Sequence, residues 1–300
     1  MDLAQRLVKY SEITHGRARA RFLGADLDGK LALAAELASP CRTCERKCGA
    51  ERKECRKGVC GVLDSRVSSE FLHYGEEPEL VPSHTIFFAG CTFKCVFCQN
   101  SDISQDPAHG ASIAPASLAD RIARGGGINV NWVGGDPTSN LEYILQVMRE
   151  LKRLDFNIAQ VWNSNMYMSE EAMAVLEGVV DVYLGDFKYG NDRCAKRLSG
   201  VDRYFEVVSR NHRIASEQCE ILLRHLVLPG HVECCTRPVL DWVAVNLPNG
   251  RLRVNVMDQY HPDYMVIRET GTYPELGRRL KMPEFLEAYE YARKLGLDLV

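Results

Sequence analysis

The sequence lacks the features of a membrane or exported protein. It has no apolar stretch that approaches the length of a membrane span, and its first ten residues contain no apolar signal core. It also lacks an excess of basic charge, since 37 lysine and arginine residues stand against 40 acidic ones and leave a formal net charge of −3. These absences argue against membrane insertion, export and general nucleic-acid binding, and we expect a cytoplasmic protein.

Internal repeats and low-complexity segments are absent too, and no Ser/His/Asp or paired-carboxylate arrangement for acid–base catalysis is visible. Cysteine, in contrast, is abundant. The chain has 12 cysteines, and eight of them fall in two tight arrays. Because disulfides are rare in the cytoplasm, arrays of this kind in a chain without an export signal indicate reduced cysteines that bind metal.

One array consists of Cys91, Cys95 and Cys98 in a Cys-x3-Cys-x2-Cys pattern. It follows directly on the apolar run 85–89, which predicts a buried strand that ends in a cysteine loop. Thiolates are soft ligands that suit iron–sulfur clusters, and three of them can hold three irons of a cubane. The missing fourth ligand would leave one iron open to a reacting molecule. The alternatives are three ordinary buried cysteines, or a zinc loop that takes its fourth ligand from elsewhere.

The other array lies in residues 41–60, which we call the N-terminal cysteine segment. This polar stretch has too few apolar residues to fold around a core of its own, and a bound metal would supply folding energy. The favoured ligands are four of its five cysteines, Cys41, Cys44, Cys48 and Cys60. Cys55 is then spare, although it could replace one of the four. The spacing does not distinguish zinc from a second iron–sulfur cluster.

A strand–helix alternation begins at residue 85 and predicts parallel βα units. The predicted fold is α/β, a partial (β/α)6 TIM-like barrel with a small N-terminal helical and cysteine-rich metal-binding extension. The predicted strands are 85–89, 128–133, 157–162, 180–185, 220–228 and 251–257, with helices between them. The predicted domains are a helical and cysteine-rich part (1–61), a connecting hairpin or loop (62–83), the core barrel (84–265) and a C-terminal helical segment (266–300).

Polar residues or cysteines follow every predicted strand. In βα barrels the reactive groups collect at the carboxyl-terminal ends of the strands, so these side chains are expected to share one site. Beyond the cysteine loop, the candidates in chain order are Gly134, Gly135, Asp136, Asn163, Asp186, Lys188, Arg224 and His261. An ordinary turn at 134–137 and an Asx turn at 163–165 are open alternatives. Arg224 lies in an apolar run, and since a buried arginine is costly unless paired, it should meet an anionic ligand or Asp186.

The cysteine spacing, with Phe97 just before the last cysteine, resembles the radical S-adenosylmethionine (SAM) superfamily. From about residue 84 to 265 the order of motifs resembles the branch that activates glycyl radical enzymes, typified by pyruvate formate-lyase activating enzyme. The likeness is greatest to relatives that carry an N-terminal cysteine-rich segment and are named as activating enzymes by likeness alone. The resemblance implies a [4Fe-4S] cluster on Cys91, Cys95 and Cys98, with SAM bound at its open iron.

The same resemblance implies a role for most of the remaining candidates. Phe97 would contact the adenine, and the Gly134-Gly135-Asp136 stretch would hold the amino group of SAM. Asp136 stands where the family commonly has Glu, which allows that contact to run through backbone carbonyls instead. The residues implied to orient the methionine and ribose are Asp186, Lys188, Arg224 and His261, and Asn163 is a further candidate contact.

The implied reaction is reductive cleavage of SAM to a 5′-deoxyadenosyl radical, which abstracts a hydrogen atom. The implied partners are a low-potential electron donor, flavodoxin or ferredoxin, and a glycyl radical enzyme as protein substrate. One alternative is modification of another peptide or of a small molecule with an auxiliary cluster. A second is a non-catalytic iron–sulfur electron-transfer protein. The adjacent Cys234 and Cys235 could be packing residues, a redox pair or a ligand pair.

Overall fold

The computed structural model describes residues 7–300, and the part of the predicted N-terminal domain on residues 1–6 lies outside the described residues. Within the described chain, seven strands form one sheet whose spatial order equals their order in the sequence. The strands are β1 (Val67–His73), β2 (Ser83–Phe88), β3 (Asn129–Gly134), β4 (Ala159–Ser164), β5 (Val182–Asp186), β6 (Glu220–Leu226) and β7 (Leu252–Met257).

The sheet is mostly parallel. Strands β2 to β7 pair in parallel, while β1 runs antiparallel to β2 at the first edge. The six predicted strands are confirmed, with ends that differ by a few residues. Strand β1 falls in the stretch 62–83, predicted as a connecting hairpin or loop, and there it extends the sheet. The predicted domain boundaries stay a prediction.

The parallel strands are buried on both faces, as is typical of parallel sheets in α/β proteins. All six residues of β4 are buried, and Trp132 on β3 and Trp162 on β4 are fully enclosed. Among residues 7–300, no helix combines the length and the apolar character that a bilayer crossing needs. The helices are α1 (Val8–Thr14), α2 (Leu27–Ala38), α3 (Ser101–Ser104), α4 (Pro115–Arg124), α5 (Leu141–Arg153), α6 (Glu170–Leu176), α7 (Asp192–Ser199), α8 (Tyr204–Gln218), α9 (Arg237–Asn246), α10 (Met265–Arg268) and α11 (Met282–Lys294).

Helix α7 is one that the apolar pattern does not predict. Its eight residues are mostly polar, and capping residues define it instead. The Asn191 side chain accepts a hydrogen bond from the Cys194 N–H (2.9 Å), and Gly200 ends the helix in a left-handed conformation with φ of 65°. The next helix, α8, begins at Tyr204, directly after Arg203 in a left-handed conformation (φ 49°).

The N-terminal helices cover the amino-terminal edge of the sheet. The Glu220 carboxylate, at the start of β6, accepts two hydrogen bonds from backbone N–H groups in the first turn of α1 (3.0 and 2.9 Å). Asp181, just before β5, accepts from the backbone N–H groups of Arg21 and Gln160 (3.0 and 2.8 Å). Because the chain itself closes this edge, the opposite, carboxyl-terminal edge is left for a ligand site.

Asp181 makes the free energy of unfolding depend on pH. Burial raises the pKa of Asp181 to about 6, so the folded state holds the proton more tightly than the unfolded state. The resulting stabilisation is present at acidic pH and is lost as the pH rises through the folded-state pKa. We predict that the free energy of unfolding of the wild type, relative to Asp181→Asn, falls by on the order of 1 kcal/mol from pH 5 to pH 7. Urea titrations at both pH values measure it, and an equal difference at both contradicts the prediction.

Candidate active site

A cavity of about 620 Å³ lies at the carboxyl-terminal ends of the parallel strands. Residues at the ends of successive strands line it, so the predicted convergence of strand ends is present. The sequence-predicted residues that line the cavity are Cys91, Cys95, Cys98, Phe97, Gly134, Gly135, Asp136, Asn163, Asp186, Lys188 and Arg224. His261 is the predicted residue that the structure does not bring to this lining.

Phe97 lines the cavity, whereas His261 does not. The His261 ring turns toward the backbone of the next residue, with Nδ1 3.2 Å from the Pro262 carbonyl oxygen, and Gln259 lines the cavity in its place. Phe97 is buried in the wall, where its ring packs edge-on against Tyr260 with centroids 5.8 Å apart. A role for His261 at this site therefore has no support from its position.

The cysteine loop, residues 90–98, is held by main-chain hydrogen bonds to the end of α7. The N–H groups of Lys94 and Val96 donate to the carbonyl oxygens of Ser199 and Leu198 (3.0 and 2.9 Å). Gly90 opens the loop with φ of 83°, and a Cβ there would lie 2.3 Å from the Val62 side chain, so this position requires glycine. Contacts within the protein therefore preform the loop.

Each sulfur of the loop has a polar neighbour. The neighbours are the Phe93 N–H for Cys91 (3.3 Å), the Ser199 hydroxyl for Cys95 (2.9 Å) and the Ser104 hydroxyl for Cys98 (3.1 Å). Such groups can donate to thiolate sulfur and tune a metal centre. They fix the three side chains in the cavity wall.

The chemistry of these thiols fits an iron–sulfur cluster. Burial raises the pKa of the Cys91 thiol well above its usual range and that of Cys95 to about 12, so neither is a good ligand until a cation displaces its proton. The cavity lining contains these three cysteines and no fourth among the described residues, which matches a [4Fe-4S] cluster with one open iron.

The Gly134-Gly135-Asp136 stretch is shaped by contacts with the cysteine loop. Gly134 has φ of 121°, and a Cβ on Gly135 would lie 2.1 Å from the Gly90 carbonyl oxygen. The Gly135 N–H donates to the Phe88 carbonyl (2.8 Å), and the Asp136 N–H donates to that of Gly90 (3.1 Å). Backbone packing alone therefore requires both glycines.

The Asp136 carboxylate is engaged by the protein. One oxygen accepts from the Thr138 N–H (2.9 Å) and caps the turn Pro137–Asn140, and the other accepts from the Asn165 N–H (3.0 Å). Burial raises the pKa of this carboxyl group to about 6. Since both oxygens are occupied, Asp136 ties the loops after β3 and β4 together, and its backbone is the part best placed for a ligand.

Asp186 and Lys188 pair with each other in the cavity, where the Lys188 ammonium donates to the Asp186 carboxylate. Burial disfavours the charged ammonium, but the neighbouring carboxylate outweighs burial and raises the pKa of Lys188. The backbone N–H of Lys188 donates to the Tyr204 hydroxyl (2.7 Å), which fixes the chain beyond β5. The two residues thus form a rigid ion pair beside Cys95.

Arg224 is partly buried and paired, but its partners are two glutamates and not Asp186, which was the protein partner expected from the sequence. Its guanidinium donates to both oxygens of the Glu77 carboxylate (2.7 and 2.6 Å) and to Glu76. Burial alone would raise the pKa of Glu77, and the hydrogen bonds from Arg224 reverse that effect and lower it. Arg224 pairs with the two glutamates because the turn between β1 and β2 carries them into the cavity. Asp186 is not available to Arg224, because Lys188 already neutralises its charge.

The N-terminal cysteine segment lies directly beside the cysteine loop. The Arg46 guanidinium donates to the carbonyl oxygens of Thr92, within the loop, and of Gly200, which follows α7 (2.9 and 2.7 Å). A Cβ on Gly90 would lie 3.1 Å from the Cys60 carbonyl oxygen. A metal held by this segment would therefore adjoin the cavity wall.

Three other cysteines of the segment influence the Cys44 thiol. Burial raises the pKa of the Cys44 thiol, and Cys41, Cys60 and Cys48 add to that rise, while Cys48 and Cys55 are both exposed. A Cβ on Gly58 would lie 2.5 Å from the Cys48 sulfur, so this glycine makes room for it. The grouping agrees with the favoured ligand set, which stays a prediction.

Sequence reasoning missed several residues that shape the site. Glu76 and Glu77 were visible only as part of a turn, and Ser104 and Ser199 were not identified as neighbours of the cysteines. Asn165 donates to the Thr92 hydroxyl oxygen (2.9 Å) and so braces the cysteine loop. No local pattern points to the two glutamates, because they lie 147 and 148 residues from Arg224 in the sequence.

The Arg224–Glu77 pair allows a direct stability test. Arg224→Met leaves Glu77 buried without its cation, and we predict a loss of about 3–5 kcal/mol in the free energy of unfolding. The double variant Arg224→Met/Glu77→Met removes both charges and should be more stable than the single variant. Denaturant titrations of the three proteins test this, and a double variant no more stable than the single one contradicts the pairing.

Comparison with known proteins identifies the family of this chain. The model of the radical SAM superfamily matches residues 85–243. Uncharacterized protein MJ0674 of Methanocaldococcus jannaschii is 47% identical over 282 residues, which are 91% of this chain and 80% of that protein. Pyruvate formate-lyase 1-activating enzyme of Escherichia coli is 24% identical over 152 residues, 48% of this chain and 60% of that enzyme.

Among solved structures, SuiB of Streptococcus suis aligns with a TM-score of 0.49 at 14% identity, over 72% of this chain and 47% of that one. The family match covers more than half of the chain and contains the cysteine loop and the ends of β2 to β6. The chain therefore belongs to the radical SAM superfamily and is a radical SAM enzyme.

Proposed function

We propose that Cys91, Cys95 and Cys98 hold a [4Fe-4S] cluster and that the remainder of the cavity holds SAM against its open iron. The observation that carries the proposal is the cavity in which one buried and two partly buried thiols meet the polar ends of the parallel strands. Membership of the superfamily supplies the pair of cofactors. In this proposal β2 to β7 form a partial (β/α)6 barrel with the site at its mouth.

Bound there, the cluster would supply the electron that cleaves the sulfonium of SAM and yields a 5′-deoxyadenosyl radical for hydrogen-atom abstraction. The chain's own residues bind, orient and shield the ligand. The backbone of Gly134, Gly135 and Asp136 faces the amino end of the methionine. Phe97 and Asn163 contribute wall contacts, with Phe97 toward the adenine.

The charged residues of the cavity act as pre-paired groups. The Asp186–Lys188 pair can share hydrogen bonds with the ligand's carboxylate and hydroxyl groups without exposing a bare charge. Arg224 is a positioning residue in this arrangement, because its guanidinium already holds Glu76 and Glu77.

The proposed substrate is a glycine Cα–H of a partner enzyme, with flavodoxin or ferredoxin as the electron donor. Similarity to pyruvate formate-lyase 1-activating enzyme over 48% of the chain supports this choice. A specific observation favours a second candidate, the modification of another peptide or of a small molecule with an auxiliary cluster. The N-terminal cysteine segment contacts the backbone beside Cys91, so a cluster there would be close enough to exchange electrons.

Cleavage of SAM tests the shared part of both candidates. Cys95→Ala removes a cluster ligand. Removing a residue that only hydrogen-bonds to a metal ligand typically lowers metal affinity or activity about 10–100-fold, so we predict at least that loss in dithionite-driven release of 5′-deoxyadenosine. The matched control is Cys219→Ala. Cys219 is a buried cysteine just before β6, at the amino-terminal ends of the strands, and its sulfur contacts the Glu220 carbonyl. Cleavage that survives in Cys95→Ala, measured on anaerobically reconstituted protein, would refute the cluster assignment.

The two candidates differ in what the N-terminal metal does. If the enzyme forms a glycyl radical and the N-terminal metal is a structural zinc, we predict that Cys44→Ala loses zinc but keeps SAM cleavage. The wild type should then generate a glycyl EPR signal in a partner enzyme. Cys55→Ala should retain all metal. Loss of iron from Cys44→Ala, with cleavage kept but no glycyl signal from the wild type, would favour the auxiliary-cluster candidate.

A further inference from the structure

A second cluster of metal-binding side chains lies outside the cavity. Cys194, His231, Cys234 and Cys235 converge at one point, and within residues 7–300 they form a group whose ligand atoms all lie within 4.8 Å of one another. The sequence places Cys194 some 40 residues from the vicinal pair. The fold brings them together because α7 follows β5 and the histidine and vicinal cysteines follow β6, its neighbour in the sheet.

The distances between these atoms are those around a single ion. A tetrahedral zinc with Zn–S of about 2.3 Å and Zn–N of about 2.0–2.1 Å requires about 3.8 Å between two sulfurs and about 3.6 Å between sulfur and nitrogen. The Cys234 sulfur lies 3.9 Å from the sulfurs of both Cys194 and Cys235. His231 Nδ1 lies 3.6, 3.3 and 3.7 Å from the sulfurs of Cys194, Cys234 and Cys235.

Local structure holds the ligands in this arrangement. The vicinal cysteines lie in a short π-helix, Val232–Thr236, whose wide turn follows directly on His231. Asn191, which caps α7, also donates to the Cys234 carbonyl oxygen (2.7 Å) and so joins the two ligand-bearing segments. A Cβ on Gly190 would lie 2.8 Å from the carbonyl oxygens of Cys234 and Cys235, so the close approach of the segments needs glycine.

The surroundings also orient the ligands. His231 Nε2 lies 3.6 Å from the Glu275 carboxylate, which favours a proton on Nε2 and leaves Nδ1 free to bind metal. Arg197 in turn pairs with Glu275. His231, Cys194 and Cys235 are buried and Cys234 is partly buried, so most of the group is shielded from solvent.

We propose that Cys194, His231, Cys234 and Cys235 bind one zinc ion. Three thiolates and an imidazole form a four-ligand set of the closed, structural type, with no position left for a substrate. The spacing is too short for a cubane, in which each ligand binds a different iron. The ion ties the loop after β5 to the loop after β6, and α7 carries this restraint to the Ser199 hydroxyl beside Cys95.

Zinc analysis of the full-length protein, purified anaerobically, tests the site. Cys234→Ser/Cys235→Ser should contain one zinc fewer per chain than the wild type, and Cys219→Ser should contain the same number as the wild type. The proposal does not depend on SAM cleavage or on the cavity cluster, so iron content is followed separately. Equal zinc in the double variant and the wild type, with matching circular dichroism, would overturn it.

A second measurement on the wild type keeps the proposal testable where the double variant does not fold. The N-terminal cysteine segment contains no histidine, so an imidazole in the zinc coordination sphere reports on His231 rather than on that segment. Zinc-edge X-ray absorption should show imidazole scattering at about 2.0–2.1 Å beside sulfur at about 2.3 Å. An all-sulfur zinc shell, or protein without zinc, would contradict the site.

Discussion

The burial of ionisable groups at the carboxyl-terminal ends of parallel strands is the constraint on which the rest of this structure depends. Buried charges are costly unless each has a partner. Arg224 meets Glu76 and Glu77, and Lys188 meets Asp186, so these charges are compensated within the protein. The thiols of the cysteine loop are comfortable when neutral, but burial disfavours their thiolate forms, and a metal cluster is the partner that would stabilise them as thiolates.

The two ends of the parallel strands have different roles. At the amino-terminal edge, Asp181 and Glu220 accept hydrogen bonds from the backbone of the N-terminal helices and close the fold. At the opposite edge the loops are tied to one another, by Asp136 between the loops after β3 and β4 and by α7 against the cysteine loop. The proposed zinc site adds a third tie, between the loops after β5 and β6. A site that directs a radical needs such rigidity, because misplaced reacting atoms cost rate and selectivity.

The sequence predicted the parallel strands and most cavity residues because both follow local rules. Apolar runs define the strands, and the residues after them must lie at one edge of a parallel sheet. The same reasoning could not find the partners of Arg224, because the turn that carries Glu77 lies about 150 residues earlier and no local pattern links the two. Nor could it join Cys194 to Cys234, since only the adjacency of β5 and β6 brings them together. Helix α7 did have a signal, the capping pair Asn191 and Gly200, which the search for apolar periodicity passed over.

We predict that SAM binds directly to the iron left open by Cys91, Cys95 and Cys98. Electron paramagnetic resonance of the reduced, reconstituted protein tests this most directly, in a Cys44→Ala background that removes overlap from the N-terminal cysteine segment. We expect a [4Fe-4S] signal that changes on addition of SAM and shows coupling to ¹⁷O in the labelled SAM carboxylate. A cluster signal that SAM leaves unchanged would contradict direct binding of SAM to the cluster.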